Sequence, residues 1–322
     1  MDKLLSIVIP TIGNYDLLKI TLDSLLPQIK NRDDIELIVS LNGPEDNSSD
    51  LLKEYSAKNS NISYKIFKDR VDIIPSFVRS MELACGEYCI IYGDDDFALP
   101  GLVETVLKLV GQYPNASIIH YNNLAGKDSG DSVYRKSYIE DNCISCKVKI
   151  LELKDFLFAH ALSAGFISSL VFKREVWEEG LKSNYLDNTG YGQIMIIYNG
   201  AKGKSCLYYD VPLVIKRIPY KRSWLSNWPY YWLIDIPSLM KNLDENNIAP
   251  GIYHHWERCE NRSLLKFVYT LLNTTCDRTR YKSLCPQINE FQSSCFRKFL
   301  TYFVVYTMPN IVFQIVRKIV YK

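Results

Sequence analysis

The run Tyr88–Tyr92 (YCIIY) is apolar at every position and passes directly into Gly93, Asp94, Asp95 and Asp96. A strand without polar alternation is covered on both faces, as the central strands of a parallel sheet are. The flanking sequence fits such a sheet. Leu4 to Pro10 is a β-branched run closed by a proline, and Tyr15 to Gln28 puts Leu17, Leu18, Thr21, Leu22, Leu25 and Leu26 on one helical stripe. Glu36 to Leu41 repeats the strand signal. Asn42-Gly43-Pro44 is turn chemistry, and Ser48 or Ser49 is placed to cap a helix running to about Asn59. Ser63 to Lys68 reads as a third strand, Ile73 to Cys85 as a helix, Leu102 to Gln112 as another, and Ala116 to Tyr121 as a fifth strand. Further strands are expected at Ser168 to Phe172 and Cys206 to Ile215. The polar, turn-rich stretch 122–150 reads as an insertion or long loop over the site.

Strands alternating with helices predict an α/β layer with a mostly parallel sheet and flanking helices, whose ligand crevice lies outside the carboxyl ends of the strands. The acidic triplet falls at such an end. Adjacent carboxylates repel one another, and a hard cation such as Mg2+ or Mn2+, completing its shell with water and phosphate oxygens, would relieve them. A nucleoside diphosphate supplies such phosphates. The same residues would also make a solvated acidic turn that caps the helix after Pro100.

Charge divides the chain in two. In total 38 basic residues face 36 acidic ones, which leaves no chain-wide footprint for nucleic acid. Residues 1–200 nevertheless hold 20 basic and 28 acidic side chains, and 201–322 hold 18 and 8. The nine cysteines form an odd, scattered set, and the N-terminus turns polar too soon for a signal peptide, so reduced thiols in a cytoplasmic protein are expected. Cys143 and Cys146 make the single CxxC. A zinc site there would need a second pair, for which His254, His255 and Cys259 are the candidates.

Three segments in order, SIVIPTIGNYDLLKITLDSLLPQ (6–28), IELIVSLNGPEDNS (35–48) and ACGEYCIIYGDDDFALPGLVETVL (84–107), resemble the family 2 glycosyltransferases of GT-A fold, in particular those that build bacterial surface polysaccharides. The resemblance covers the first third, weakens through the middle and is absent beyond about residue 220. It implies a metal-dependent glycosyltransferase that inverts the anomeric centre, with a GT-A domain over 1–220 and a mainly helical region over 221–322. Carried over by position, Pro10 and Thr11 would lie beside the base and ribose, Asp94 near the ribose and metal, and Asp96 on the metal, with Asp95 supporting. Two departures bear on the donor. Leu41 stands where the family commonly has Asp, leaving Ser40 and Asn42 as the nearby polar candidates for the base. The usual Asn-x-Gly before the third helix is replaced by Arg70 to Pro75. For the general base the resemblance points past the middle strand (166–177), near 183–193, and Asp187 is preferred over Glu178 and Glu179. An Asx turn in Asp187-Asn188-Thr189-Gly190 is the alternative reading.

Beyond residue 215, Lys216, Arg217, Lys221 and Arg222 precede Trp224, Trp228, Tyr230, Tyr231 and Trp232. Such a mixture can stack on a sugar, bind a pyrophosphate, lie at a membrane interface, or form an apolar seam with a basic edge. The end of the chain, 297–322, has an uncharged stretch from Phe299 to Gln314 and on to Val316, bracketed by Arg297, Lys298, Arg317 and Lys318. Interrupted by Pro309, Asn310 and Gln314, it is too broken for a span, and reads as an interfacial anchor or as a helix packed on the protein.

With the resemblance, these features make a coherent picture. A nucleoside-diphosphate sugar donor meets a saccharide acceptor linked to polyprenyl pyrophosphate, in O-antigen (lipopolysaccharide) or capsule synthesis, on an enzyme peripheral at the inner face of the plasma membrane. Self-association into a homo-oligomer is left open. The rival readings are a catalytically degenerate member that binds saccharide or a partner, and a sugar-nucleotide pyrophosphorylase. The latter would normally carry a glycine-rich phosphate loop and a basic residue where Pro10 to Asn14 stand.

Overall fold

The computed structural model describes residues 3–44, 46–127, 132–137, 147–183, 190–218, 228–259, 264–274 and 278–307. It divides into two compact units. One comprises Met1–Asn188 with Gly192–Tyr220, the other Thr189–Tyr191 with Lys221–Lys322.

The first unit is an α/β layer. In chain order it contains β1 (Leu5–Thr11), α1 (Tyr15–Ile29), β2 (Ile35–Asn42), α2 (Asn47–Lys58), β3 (Ile62–Phe67), α3 (Ile73–Met81), β4 (Tyr88–Ile91), β5 (Phe97–Ala98), α4 (Leu102–Gln112) and β6 (Ala116–Lys127). There follow β7 (Ser132–Ser137), β8 (Val148–Glu152), α5 (Leu153–His160), β9 (Leu170–Lys173), α6 (Arg174–Gly180), α7 (Gly192–Gly200) and β10 (Ser205–Ile218). The strands form a single sheet in the order β3-β2-β1-β4-β9-β6-β10-β5, with β7 beside β6 and β8 beside β10. β3, β2, β1 and β4 are mutually parallel. β9 lies antiparallel to both β4 and β6, so β6 runs in the direction of β4, and β10 pairs parallel with β6. The carboxyl ends of β1, β2, β4 and β10 therefore open on one edge. The double coverage expected from YCIIY holds: Cys89, Ile90, Ile91 and Tyr92 are fully buried. Leu18, Leu22 and Leu25 of α1, Leu51 and Leu52 of α2, and Leu102 and Val106 of α4 pack into the same core as Ile7, Ile9 and Ile90.

Three local expectations are corrected. The cap of α2 is Asp46, whose Oδ1 accepts the Ser48 N–H at 2.9 Å while Ser49 Oγ accepts the Asp46 N–H at 3.2 Å. This reciprocal capping box satisfies two otherwise orphaned donors, and the serines complete it from inside the helix. α3 ends at Met81, short of Cys85. The stretch 122–150 is no simple loop: β6 continues to Lys127, β7 returns along it, and β8 adds to the edge of β10. Asn122 and Asn123 read as loop residues by composition, yet both are buried in the sheet, and the Asn122 Nδ2 donates to the Asp210 carbonyl at 3.2 Å. The register of β10 is irregular around Pro212, a residue without an N–H.

All described elements of the second unit are helical. They are α8 (Trp228–Tyr230), a π-helical turn (Tyr231–Asp235), α9 (Ile236–Glu245), α10 (Ile252–Cys259), α11 (Leu264–Asn273), α12 (Arg278–Glu290), α13 (Cys295–Tyr302) and a second π-helical turn (Phe303–Thr307). Leu233, Ile234, Phe267, Leu271, Tyr281, Ile288, Phe291, Val304 and Val305 form their core. The described part of the aromatic cluster belongs to this packing: Arg280 lies 4.9 Å from the Tyr230 ring centroid and Lys266 3.6 Å from that of Trp232. Among the described residues no helix is long and apolar enough to cross a membrane. The described cysteines, Cys85, Cys89, Cys206, Cys259, Cys285 and Cys295, are free thiols, whereas Cys143 and Cys146 lie outside the described residues.

Candidate active site

The acidic triplet follows β4 at the common carboxyl edge. Thr11, the last residue of β1, donates its hydroxyl to Asp94 Oδ2, and its Oγ1 in turn accepts the Gly13 N–H at 3.0 Å. This pins the loop after β1 to the loop after β4. Sheet register brings a third strand to the same place. β5 and β10 pair antiparallel with Ile215 opposite Phe97, so continuing the pairing two residues sets Arg217 opposite Asp95. The Arg217 guanidinium lies 3.7 Å from Asp95 Oδ2 and its backbone N–H donates to Asp96 Oδ1 at 3.2 Å.

Each aspartate has a different environment. Asp96 is 4% exposed, and its Oδ2 accepts the Ser168 hydroxyl at 2.6 Å. The Ser168 Oγ itself accepts the Gly93 N–H at 2.8 Å, and Tyr121 donates to the Ser168 carbonyl at 2.6 Å. Thr21 on α1 donates to the Asp96 carbonyl at 2.9 Å. A side chain on Gly93 would put its Cβ 2.6 Å from Asp96 Oδ2, so the residue before the triplet has to be glycine for the carboxylate to fold back against its own strand. Asp95 is the most open of the three, with 39% of its side chain exposed. Burial pushes the Asp94 carboxyl up to about 6 against the opposing pull of Thr11. Burial, helped by the charge of Asp95, pushes Asp96 up to about 7 against Ser168. Asp95 is also raised, burial outweighing Arg217. All three therefore resist full ionisation, which is the condition an added cation reverses.

The oxygen donor set, crowded and desolvated, fits a hard divalent ion held by one or two carboxylates with phosphate oxygens completing its shell. No group of three or more His, Cys, Asp or Glu side chains that could hold a metal ion occurs among the described residues. This includes His254, His255 and Cys259.

Of the other residues singled out from the sequence, Pro10 lies beside Thr11 at the end of β1, in register with Ser40. Asn42 ends β2 on the same edge and is 4% exposed. Its side chain is engaged within the protein: Oδ1 accepts the Val71 N–H at 3.0 Å and an Arg79 N–H, and Nδ2 donates to the Val71 carbonyl at 2.9 Å. The Arg70 to Pro75 segment is thereby tied to β2, while the Arg79 guanidinium stacks 4.0 Å from the Phe67 centroid. Leu41 is fully buried. Asp187 lies outside the described residues. Sequence reasoning missed Ser168 and Arg217 as site residues. Nothing in ISSLVFK distinguishes Ser168, but Arg217 follows Ile215 at the carboxyl end of a recognisable strand, a position that marks the ligand edge of such a sheet.

Comparison with known proteins agrees with this architecture. Residues 6–161 match the family model of Glycosyl transferase family 2. Over 228 residues the chain is 27% identical to abequosyltransferase RfbV of Salmonella typhimurium, a match spanning 66% of each protein and so just under two thirds of that relative's length. In structure it resembles S. aureus TarS 1-349 in complex with UDP-GlcNAc, with TM-score 0.58 at 10% identity over 93% of this chain and 86% of that one. It also resembles mannosyltransferase PcManGT from Pyrobaculum calidifontis in complex with GDP-Man and Mn2+, with TM-score 0.56 at 13% identity over 99% and 88%.

Proposed function

We propose that this chain, whose residues 6–161 match the family 2 glycosyltransferases and whose fold is GT-A, moves a sugar, with inversion, from a nucleoside-diphosphate sugar to a hydroxyl of a saccharide acceptor. The observation that carries this reading is the meeting of Thr11, Asp94, Asp95 and Arg217 at one carboxyl edge of the sheet. A parallel α/β sheet binds its ligand at that edge, and carboxylates beside a guanidinium can hold both a cation and the diphosphate it bridges.

We assign Mn2+ or Mg2+ to Asp95 and Asp94 rather than to Asp96. Both oxygens of Asp96 already accept hydrogen bonds, from Ser168 and the Arg217 N–H, so a metal there would share them with those donors at a nearly closed position. Asp95 offers an open carboxylate instead. A metal held by these carboxylates would supply positive charge against the departing diphosphate. Arg217 adds positive charge on the same side, and the Thr11 hydroxyl holds Asp94 Oδ2 in a set position. The base that deprotonates the acceptor must come within about 3 Å of its hydroxyl, and Asp187 remains our candidate for it.

The acceptor class we propose is a saccharide on polyprenyl pyrophosphate in O-antigen or capsule synthesis, which sets the reaction at the inner face of the plasma membrane. The likeness to an abequosyltransferase supports the transfer of a sugar. The test is thermal stability with UDP, GDP, CDP and dTDP, each with and without Mn2+. A ligand that binds only the native state stabilises it by about 2.7 kcal/mol at 100 times its Kd. A shift with one nucleotide that requires metal supports the reading and identifies the donor base. Folded protein that shifts with none of them would be a degenerate binding member of the fold.

A further inference from the structure

The end of the described chain is two-faced. Thr301, Val304 and Val305 are buried in the core of the helical unit, and the Arg297 guanidinium covers the Phe267 ring at 4.9 Å. The opposite face carries Phe296, Phe299, Tyr302, Phe303 and Tyr306, 44–61% exposed. They recur every three or four residues along α13 and the π-helical turn, which is the spacing of one helical stripe. Half of the ten large exposed apolar side chains among the described residues thus fall within eleven consecutive positions. The rings support each other, with Phe299 and Phe303 stacked at 6.2 Å and Tyr302 against Tyr306 at 5.8 Å. Tyr306 donates to the Lys282 carbonyl at 2.9 Å, and the Lys282 ammonium lies 5.7 Å from its ring, so the stripe is bordered by cations.

From this we propose that the aromatic face of α13 and the following π-helical turn docks on an anionic lipid surface, the rings entering the headgroup region and Lys298 and Lys282 meeting phosphates. The sequence left open whether this segment packs on the protein or lies on a membrane, and the structure gives it one face for each. Charge selects the occupant. Beyond Glu290 the chain carries Arg297, Lys298, Arg317, Lys318 and Lys322 and no acidic residue. A second copy would set Lys298 and Lys282 against their own counterparts, whereas anionic headgroups complement them, and aromatic rings beside cations suit the lipid–water boundary. The idea rests on the proposed reaction only for the location of the acceptor. The surface itself needs neither donor nor acceptor.

The experiment is flotation of the full-length chain with vesicles of phosphatidylglycerol and phosphatidylethanolamine, and with phosphatidylcholine alone, without nucleotide. The chain should float with the anionic vesicles, release in high salt, and remain largely free with phosphatidylcholine. Phe299→Ser with Phe303→Ser should lower the bound fraction roughly tenfold with an unchanged melting temperature, because these rings are exposed. Lys298→Glu, which leaves the rings in place, should also weaken binding. Equal flotation of the variants, or no flotation of the parent, overturns the proposal. So does a parent that sediments as a dimer dissolved by the double serine variant, which would make the stripe a contact between copies. A large loss of melting temperature in that variant would make it a face covered by the chain's own residues 308–322, and would overturn it as well. Failure in any of these ways leaves the nucleotide-binding test untouched.

Discussion

Ser168 donates to Asp96 at 2.6 Å across 72 residues of sequence, and the same oxygen receives the Gly93 N–H, so one hydroxyl joins the start of β9 to the end of β4. Removing it strands a buried carboxylate oxygen and a backbone donor together. Ser168→Ala is expected to cost about 1–3 kcal/mol of stability and to weaken nucleotide binding with it. A denaturant titration checks the first effect and the thermal shift with the nucleotide identified above checks the second.

Asp95 and Asp96 should separate cleanly when each is changed to Asn. Asp95→Asn leaves the buried ties of the loop in place, so the chain should keep its melting temperature and lose the metal-dependent part of nucleotide stabilisation. In Asp96→Asn an amide N–H would face either the Ser168 hydroxyl or the Arg217 N–H, and the fold itself should weaken by about 1–3 kcal/mol. The reverse pattern, measured by melting with and without Mn2+, would return the metal to Asp96.

His120 and His160 give the fold a pH dependence of known sign. Burial, and for His120 also the neighbouring His160, pushes His120 down to about 3, while burial and Lys149 push His160 down to about 4. Both folded values lie below the ordinary 6.5, so their contribution is complete above pH 6.5 and is lost as pH falls towards 4. At pH 5 the loss amounts to about 2 kcal/mol for each ring. His160 stacks on Tyr208 with centroids 4.0 Å apart, so His160→Phe keeps an aromatic partner there and should flatten the fall in melting temperature between pH 7 and 5.

The contact of α6 with α7 is made through backbone. A Cβ on Gly200 would come 1.8 Å from the Val176 carbonyl oxygen. Gly200→Ala must push the helices apart and should destabilise by about 1–3 kcal/mol, outweighing the gain in helix propensity that alanine normally brings. Chemical denaturation of the two proteins side by side decides it.

Much of this was legible in the sequence because apolar periodicity reports burial directly. YCIIY announced a doubly covered strand, and its junction with Asp94 to Asp96 placed the triplet at the carboxyl edge of the sheet. The extension of β6 to Lys127 was not legible, since Asn122 and Asn123 are loop-like by composition and take their place only through pairing with β10. Asn42 was recognised as polar and well placed, but the partner that engages it, Val71, lies 29 residues away and exposes nothing in its own side chain to reveal it. Arg217 was noted only as part of a basic cluster. Its approach to Asp95 is a matter of register between β5 and β10, and pairing partners separated by more than 100 residues leave no local trace in either segment.

β10 is the last strand of the sheet to be synthesised, yet it occupies an interior slot between β6 and β5. During translation Asp94 to Asp96 leave the ribosome well before Ser168, and Ser168 before Arg217. In the interval Asp94 can already meet Thr11, made before it, whereas the side-chain partners of Asp96 and Asp95 have yet to be made. Pairing of β10 is thus also the step that brings Arg217 to Asp95 and Asp96, and a chain stalled short of that strand would lack that cation at the site.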